Sequence, residues 1–325
     1  MSLTVKNLSK KYGSKTVLDN LNFEMTKPGV YALLGTKGAG KTTAIRMMLG
    51  MLSRNSGEVL WDGKRLDVTT CNVGYLAEER GLYPKYSLMD QLMYFASLRG
   101  VSKPDAKNRI RSLAERLDAT EYLYSNETPA ENNPSSAKAR KKPQKPKLAD
   151  QLSKGNQQKI QLMIALISDP ELIILDEPLS GLDPVNADLF KGIIRDEIAA
   201  GKYIIMSSHQ MATVEEFCTD LTLLNRSKTI LQGHLNDIKK SYGRVNLFLK
   251  TESDIGGYIA RSGVTLLSKK ENEYQIKVRN EEQANTLLGM LIADQVTIIT
   301  FDLREPSLHE IFVEKVGEAN EADET

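Results

Sequence analysis

The sequence predicts an α/β protein built on a mostly parallel sheet, followed by a smaller α+β domain. Three observations carry this. The apolar runs GVYALLG (29–35) and LIILDEP (172–178) read as strands buried on both faces. Helical patterns separate them from a third such strand, YIIMSSH (203–209), and strands alternating with helices imply parallel pairing. From about Val245 the order becomes β-α-β-β-α-β: VNLFLKT, a short helix near 254–262, the hairpin VTLLSKKENEYQIKV, the helix EEQANTLLGMLIA and VTIITFDL. That order is a ferredoxin-like arrangement.

Bulk composition narrows the function. The 325 residues are 41% hydrophobic and 26% charged, enough for two globular domains. Basic and acidic residues nearly cancel, 43 against 42, which argues against a dedicated nucleic-acid binder. Cys71 and Cys218 match no metal-ligand spacing, and two cysteines in a chain of this length suggest a reducing compartment. The first residues lack the apolar segment of a secretory signal. No apolar run reaches the roughly 18 residues a membrane-spanning helix needs. The expectation is a cytoplasmic protein that serves a membrane, if at all, through a partner.

Along the chain, LTVKNLSKKY and TVLDNLNFEM read as strands, and a helix is expected from about Lys41 to Leu52. EVLWDG is a strand and turn. Residues 87–124 look helical, with Leu88, Leu92, Phe95 and Leu98 on one face and Ile110, Leu113 and Leu117 on another. Between 126 and 147 the chain holds four prolines, six basic residues and no aliphatic larger than Ala, so it reads as a disordered insertion. A last helix over 308–316 precedes an acidic tail, 318–325.

The chemistry is concentrated in two motifs. Gly35-Thr36-Lys37-Gly38-Ala39-Gly40-Lys41-Thr42 fits G-x-x-x-x-G-K-[ST], after a strand and before a helix, with Thr43 following. Glycines allow backbone N–H groups to turn inward around phosphates, and the helix N-terminus adds positive potential. Lys41 can reach the β- and γ-phosphates, and the Thr42 hydroxyl can ligate Mg²⁺. Asp176 and Glu177 end a buried strand. Asp176 is placed to hold the Mg²⁺ shell, and Glu177 to orient or deprotonate an attacking water. Together the motifs indicate a P-loop NTPase with Mg²⁺ at its site.

Leu152-Ser153-Lys154-Gly155-Asn156-Gln157-Gln158-Lys159 says more. With it, the chain from about residue 3 to 235 resembles the ATP-binding-cassette (ABC) ATPases, whose signature is usually written LSGGQ. The resemblance implies an ABC domain over 1–240, with an antiparallel β subdomain and a helical subdomain at about 87–165, and an accessory domain over 241–317. It implies that Tyr12 stacks on adenine, that Ser180-Gly181-Leu182-Asp183 crosses a dimer interface, and that His209 touches the γ-phosphate. Ser153 and the Gly155 amide, at a helix N-terminus, would face the γ-phosphate held by the other subunit. Two ATPs are then sandwiched head to tail in a homodimer or heterodimer, docked on a separate transmembrane permease at the inner face of the cell membrane. The permease would be received beside Glu78 to Tyr86 and the helices at 87–124. The wording of 78–83, LSKGNQQK and PSLHEIFVEKVG resembles ATPase subunits of sodium- or drug-efflux exporters with an extra C-terminal domain.

The sequence departs from the ABC pattern at three points. Lys37 adds a charge to the phosphate loop, Lys154 and Asn156 replace signature residues, and Glu78 stands where the family places glutamine. Glu78 is thereby a candidate metal ligand carrying an extra negative charge near the γ-phosphate. Two other readings exist: a regulatory ABC protein that binds nucleotide with little turnover, and a soluble ABC protein of translation or DNA repair. The second usually has two cassettes or long insertions of coiled coil or zinc-binding type. Nothing spells the guanine-specifying Asn-Lys-x-Asp.

Overall fold

The computed structural model describes residues 1–79, 81–124 and 147–324, with side chains to Glu318. The insertion read at 126–147 lies outside the described residues except for Lys147, as does Arg80. The chain divides into two compact units, Met1–His209 with Thr222–Thr229, and Gln210–Leu221 with Ile230–Thr325.

The first unit starts with two long strands, β1 (Leu3–Tyr12) and β2 (Lys15–Met25), joined by a tight turn. They alternate buried Leu3, Val5, Leu8 and Leu18, Leu21, Phe23 with exposed residues, as an antiparallel sheet open on one face requires. β3 (Gly29–Gly35) is buried at every position and leads through the glycine loop into α1 (Lys41–Met48). This helix is shorter than the pattern suggested. Gly50 takes φ 69°, and the amides of Met51 and Leu52 return to the Arg46 carbonyl, closing the C-terminus with the left-handed turn glycine favours. β4 (Ser56–Trp61) and β5 (Lys64–Arg65) complete a four-stranded sheet in the order β2-β1-β4-β5.

The central sheet adds β6 (Val73–Leu76) and, after a helical segment, β7 (Leu172–Asp176) and β8 (Tyr203–Ser208). The helical segment comprises α2 (Leu88–Leu98), α3 (Lys103–Arg116), α4 (Thr120–Leu123) and α5 (Lys154–Leu166), with α2, α3 and α5 packed together. Ser87, Ser102 and Ser153 cap α2, α3 and α5 by accepting from the amide three residues on. In α2 the buried stripe is Leu88, Leu92 and Ala96. Phe95 is half-buried and Leu98 is 62% exposed, contrary to the expected face; Ala96, fully buried, takes that place in a helix that packs against α3 and α5. Between β7 and β8 runs α6 (Pro184–Ala199), capped by Asp183 with proline in its first turn. β6, β7, β8 and β3 pair in parallel. The full order is β10-β9-β3-β8-β7-β6, where β9 is Asp220–Asn225 and β10 is Lys228–His234.

The second unit begins earlier than residue 241 and takes in α7 (Met211–Phe217), between β8 and β9. Its Glu215 carboxylate binds the ammonium of Lys239 on α8 (Leu235–Tyr242) at 3.0 Å and accepts from the Leu308 amide at 3.0 Å, which starts α11 (Leu308–Glu324). α11 extends beyond Val316 through the acidic end. Lys315 and Glu318 pair at 2.7 Å, and a glutamate- and alanine-rich stretch favours helix.

Within this unit β11 (Asn246–Thr251), α9 (Gly256–Ser262), β12 (Thr265–Lys270), β13 (Glu273–Lys277), α10 (Glu281–Ala293) and β14 (Ile298–Arg304) follow the expected order. The sheet runs β12-β13-β11-β14 with every pairing antiparallel, the ferredoxin-like topology. Leu247, Leu249, Tyr274 and Ile276 point inward to Ile259, Ala284, Leu287 and Leu291 of the two helices. Tyr274 is buried except for its hydroxyl's polar work: it donates to Asp254 at 2.9 Å and accepts from the Ile255 amide at 3.1 Å.

Asp254 also accepts from Lys269 and the Gly256 amide, each at 2.9 Å, and these bonds hold its carboxyl down at about 2, below the ordinary 3.8. A depressed carboxylate contributes stability that is complete above its unfolded pKa and disappears as pH falls toward its folded one. Asp254→Asn is therefore expected to lower the urea midpoint of this unit at neutral pH. The gap from wild type should close between about pH 4 and pH 2. A gap independent of pH in denaturation curves would assign the loss to packing.

Candidate active site

The glycine loop is shaped by contacts that exclude side chains. Gly35 has φ 149°, and a Cβ there would stand 2.3 Å from the Leu224 carbonyl oxygen. Gly40, which caps α1 at φ 110°, would place a Cβ 2.6 Å from the Val17 carbonyl oxygen. Thr36, Lys37 and Gly38 between them are exposed, while Ala39 is buried and Thr42 and Thr43 are half-buried. The first amides of α1 lack helical partners and lie at the positive end of the helix, an arrangement suited to phosphate. Lys41 is 6% exposed and folds back to donate to the carbonyls of Gly35 (2.8 Å) and Thr36 (3.3 Å).

The carboxylates reach this loop because β3, β8 and β7 lie side by side in parallel. Asp176 is in register with Ser207, and Leu34 with Ser208, so the C-terminal ends of the three strands coincide. The Ser207 hydroxyl donates to Asp176 Oδ1 at 2.5 Å and accepts from the Glu177 amide at 2.9 Å. Thr42 Oγ1 donates to the same Asp176 oxygen at 3.3 Å. Glu177 turns off the strand with φ 51°, unusual for a residue with a side chain. That turn aims its carboxylate at two groups: Lys41 Nζ at 3.3 Å from Oε1 and His209 Nδ1 at 2.8 Å from Oε2. Glu177 is 7% exposed, whereas the His209 side chain is 48% exposed.

Burial pushes the Asp176 carboxyl above its ordinary range. Hydrogen bonds from Ser207 and Thr42 oppose the rise, and the negative charges of Glu78 and Glu177 add to it. Glu78 itself is exposed, after β6, and joins the site through this charge interaction. Asp176 Oδ2 is buried with no hydrogen-bond partner among the described atoms. An orphaned carboxylate oxygen beside a threonine hydroxyl is the donor set a hard divalent ion accepts. No group of three or more His, Cys, Asp or Glu among the described residues converges on a metal. Such a set suits Mg²⁺, which keeps waters and phosphate oxygens around it.

The remaining predicted residues stand apart from that cluster. Ser153 caps α5 by accepting from the Asn156 amide at 3.3 Å. A Cβ on Gly155 would lie 3.1 Å from Asn186 Nδ2, and that amide donates to Asp183 Oδ2 at 2.5 Å. The signature and the Asp183 loop thus form a second polar cluster, in which hydrogen bonds from Asn186 hold the Asp183 carboxyl low. Gln158 donates to the Pro178 carbonyl at 2.7 Å, which ties α5 to the residue after Glu177. Tyr12, 54% exposed, stands on the β1–β2 hairpin whose Val17 abuts Gly40.

Comparison with known proteins agrees with this geometry. The family model described as ABC transporter matches residues 18–180. The protein YhaQ of Bacillus subtilis, an uncharacterized ABC transporter ATP-binding protein, is 38% identical over 97% of this chain and 98% of its own length. The chain belongs to the ABC transporter family, as an ATP-binding subunit. A second model, for the C-terminal domain of DrrA1-3-like ATP-binding proteins, matches residues 233–316. The B. subtilis linearmycin resistance ATP-binding protein LnrL is 25% identical over 97% of this chain and 98% of its own length. The lantibiotic transport ATP-binding protein SrtF of Streptococcus pyogenes is 32% identical over 71% of this chain and 90% of its own length. A solved structure of an ATP-binding subunit of an ABC transporter superposes with TM-score 0.62 and 26% identity, covering 74% of this chain and 93% of that one. As a member of this family the subunit binds and hydrolyses ATP.

Sequence reasoning missed Ser207, Gln158 and Asn186. Ser207 could have been found only by aligning YIIMSSH against LIILDEP as neighbouring parallel strands, since nothing local marks its hydroxyl. Because one oxygen serves both Asp176 and the Glu177 amide, Ser207→Ala is expected to cost about 1–3 kcal/mol of stability through the unsatisfied partners. It should also lower kcat for ATP hydrolysis by about tenfold or more as Glu177 loses its anchor. Denaturation and steady-state hydrolysis of the same preparations check both numbers.

Proposed function

We propose that this subunit is the motor of an exporter, working as one half of a dimer that holds two ATPs head to tail. The observation that carries the reading is the division of the site residues into two separate clusters on one chain. Lys41, Asp176, Glu177 and His209 form one, and Ser153, Gly155 and Asp183 the other. A second copy or a sibling chain, turned head to tail, brings the signature cluster of one to the phosphate loop of the other. The signature cluster ends in a helix N-terminus, a site for anions.

In this reading the loop Gly35–Thr43 cradles the triphosphate and Tyr12 receives the adenine. Thr42 and Asp176, with Glu78 beside them, would hold Mg²⁺, which would supply positive charge to the phosphate oxygens. Lys41 is satisfied at present by two carbonyls and Glu177. Phosphate oxygens are stronger, charged acceptors, so ATP draws the ammonium away from Glu177. Glu177 is then left on its Ser207 and His209 contacts, free to orient a water and take its proton. His209, half exposed, is placed to sense the γ-phosphate while it steadies Glu177.

The permease is a separate chain. No helix among the described residues is long and apolar enough to cross a membrane. An aromatic group on the first unit supports the docking face: Tyr83, Tyr86 and Tyr94 are 49%, 63% and 50% exposed around Phe95 and Leu98. Such a surface fits a partner helix at the cytoplasmic side of the membrane. Relatives named for linearmycin resistance and lantibiotic transport support the export direction.

Steady-state hydrolysis and mass measurement in ATP·Mg²⁺ test the proposal together. Glu177→Gln is expected to lower kcat by about a hundredfold or more and to accumulate an ATP-bound dimer. A Glu177→Gln protein that turns over like wild type, or stays monomeric with ATP bound, refutes the assigned roles.

A further inference from the structure

Among the described residues three lysines are buried, and Lys10 is the one the catalytic and signature clusters leave unused. It is 7% exposed, and no carboxylate lies within ion-pair distance of it among the described residues. Its ammonium donates to the Ser53 carbonyl at 2.6 Å and the Ser53 hydroxyl at 3.2 Å. It also lies over the Tyr12 ring, 4.8 Å from the centroid. Residues two apart on a strand share a face, so β1 itself sets this stack. Burying an ammonium with only neutral partners is costly, and a tie between β1 and the 52–55 turn does not require a charge.

We propose that Lys10 is a positioning residue for the nucleobase, a role that rests on reading Tyr12 as the adenine platform. The cation occupies one face of the ring and holds it in place, which leaves the opposite, solvent-facing side for the base. By drawing on the ring's electron density it also favours stacking against an electron-rich purine. The hairpin carrying both residues is fixed against the phosphate loop. Tyr12 pairs with Lys15, Lys10 with Leu18, and both the Val17 carbonyl and the Leu18 side chain press on Gly40. The platform is thus held from below by Lys10 and from the side by the loop that takes the phosphates.

The test is calorimetric binding of ATP, CTP and inorganic tripolyphosphate, each with Mg²⁺, to the full chain. Lys10→Met keeps the aliphatic stem and removes the charge. It is expected to weaken ATP about threefold to thirtyfold while leaving tripolyphosphate unchanged and shrinking the preference for ATP over CTP. Lys10→Arg, which can still stack and donate, should restore ATP binding. Equal weakening of ATP and tripolyphosphate overturns the proposal in favour of a general structural or electrostatic role, and so does an unchanged ATP affinity. Tyr12→Leu separates the two readings. If it leaves ATP binding intact, the platform itself is wrong. If it weakens ATP while Lys10→Met does not, only the role of Lys10 is refuted.

Discussion

The parallel register of β3, β8 and β7 is the constraint on which the proposed active site depends. It brings the end of the strand that feeds the glycine loop level with the ends of the strands that deliver Asp176, Glu177 and His209. A shift of one residue would turn Asp176 to the other face of the sheet and separate it from Thr42 and Ser207. The register in turn is held by apolar packing on both faces. Tyr31, Ile205 and Ile174 share one row and Ala32, Met206 and Leu175 the next, on the opposite face, and all six are buried. In open parallel sheets ligands bind outside the carboxyl ends of strands, and this chain places its polar residues there.

Electrostatics explains why so much charge can be assembled in that place. Asp176, Glu177 and Lys41 are each less than a tenth exposed, and isolated charges there would be costly. Each is offset by a specific neighbour: Lys41 by Glu177 and two carbonyls, Glu177 by Lys41 and His209, Asp176 by Ser207 and Thr42. What stays uncompensated is one oxygen of Asp176, together with the added negative charge of Glu78. The excess is negative, on the side where a cation and the phosphates of a nucleotide would meet. In the proposed function a bound cation would offset that excess, and phosphate oxygens would compete with Glu177 for Lys41.

The second unit is held by a different balance. Its sheet has helices over one face, and the loop at Asp254 gathers Lys269, Tyr274 and a backbone amide onto one carboxylate. α7 belongs to this unit, where it packs against α11 and its Glu215 binds Lys239 and the Leu308 amide, although it precedes the position where the strand pattern changes.

Much of this was legible in the residue order. Apolar runs of strand length, the glycine spacing of 35–42, paired acids at a strand end and the β-α-β-β-α-β order each follow from local physics: chain sterics, periodicity and the geometry a phosphate demands. Local physics also ended where contacts became distant. Burial of Ala96 in place of Phe95 and Leu98, the service of Ser207 to two carboxylate-bearing residues, and the bonds of Lys10 to Ser53 depend on which strand or helix lies alongside. The sequence by itself determined the elements and the chemistry each can offer. Only the tertiary structure decided which side chains share charge and hydrogen bonds, because many of those bonds join residues 30 or more positions apart, such as Asp176 with Ser207 and Lys10 with Ser53.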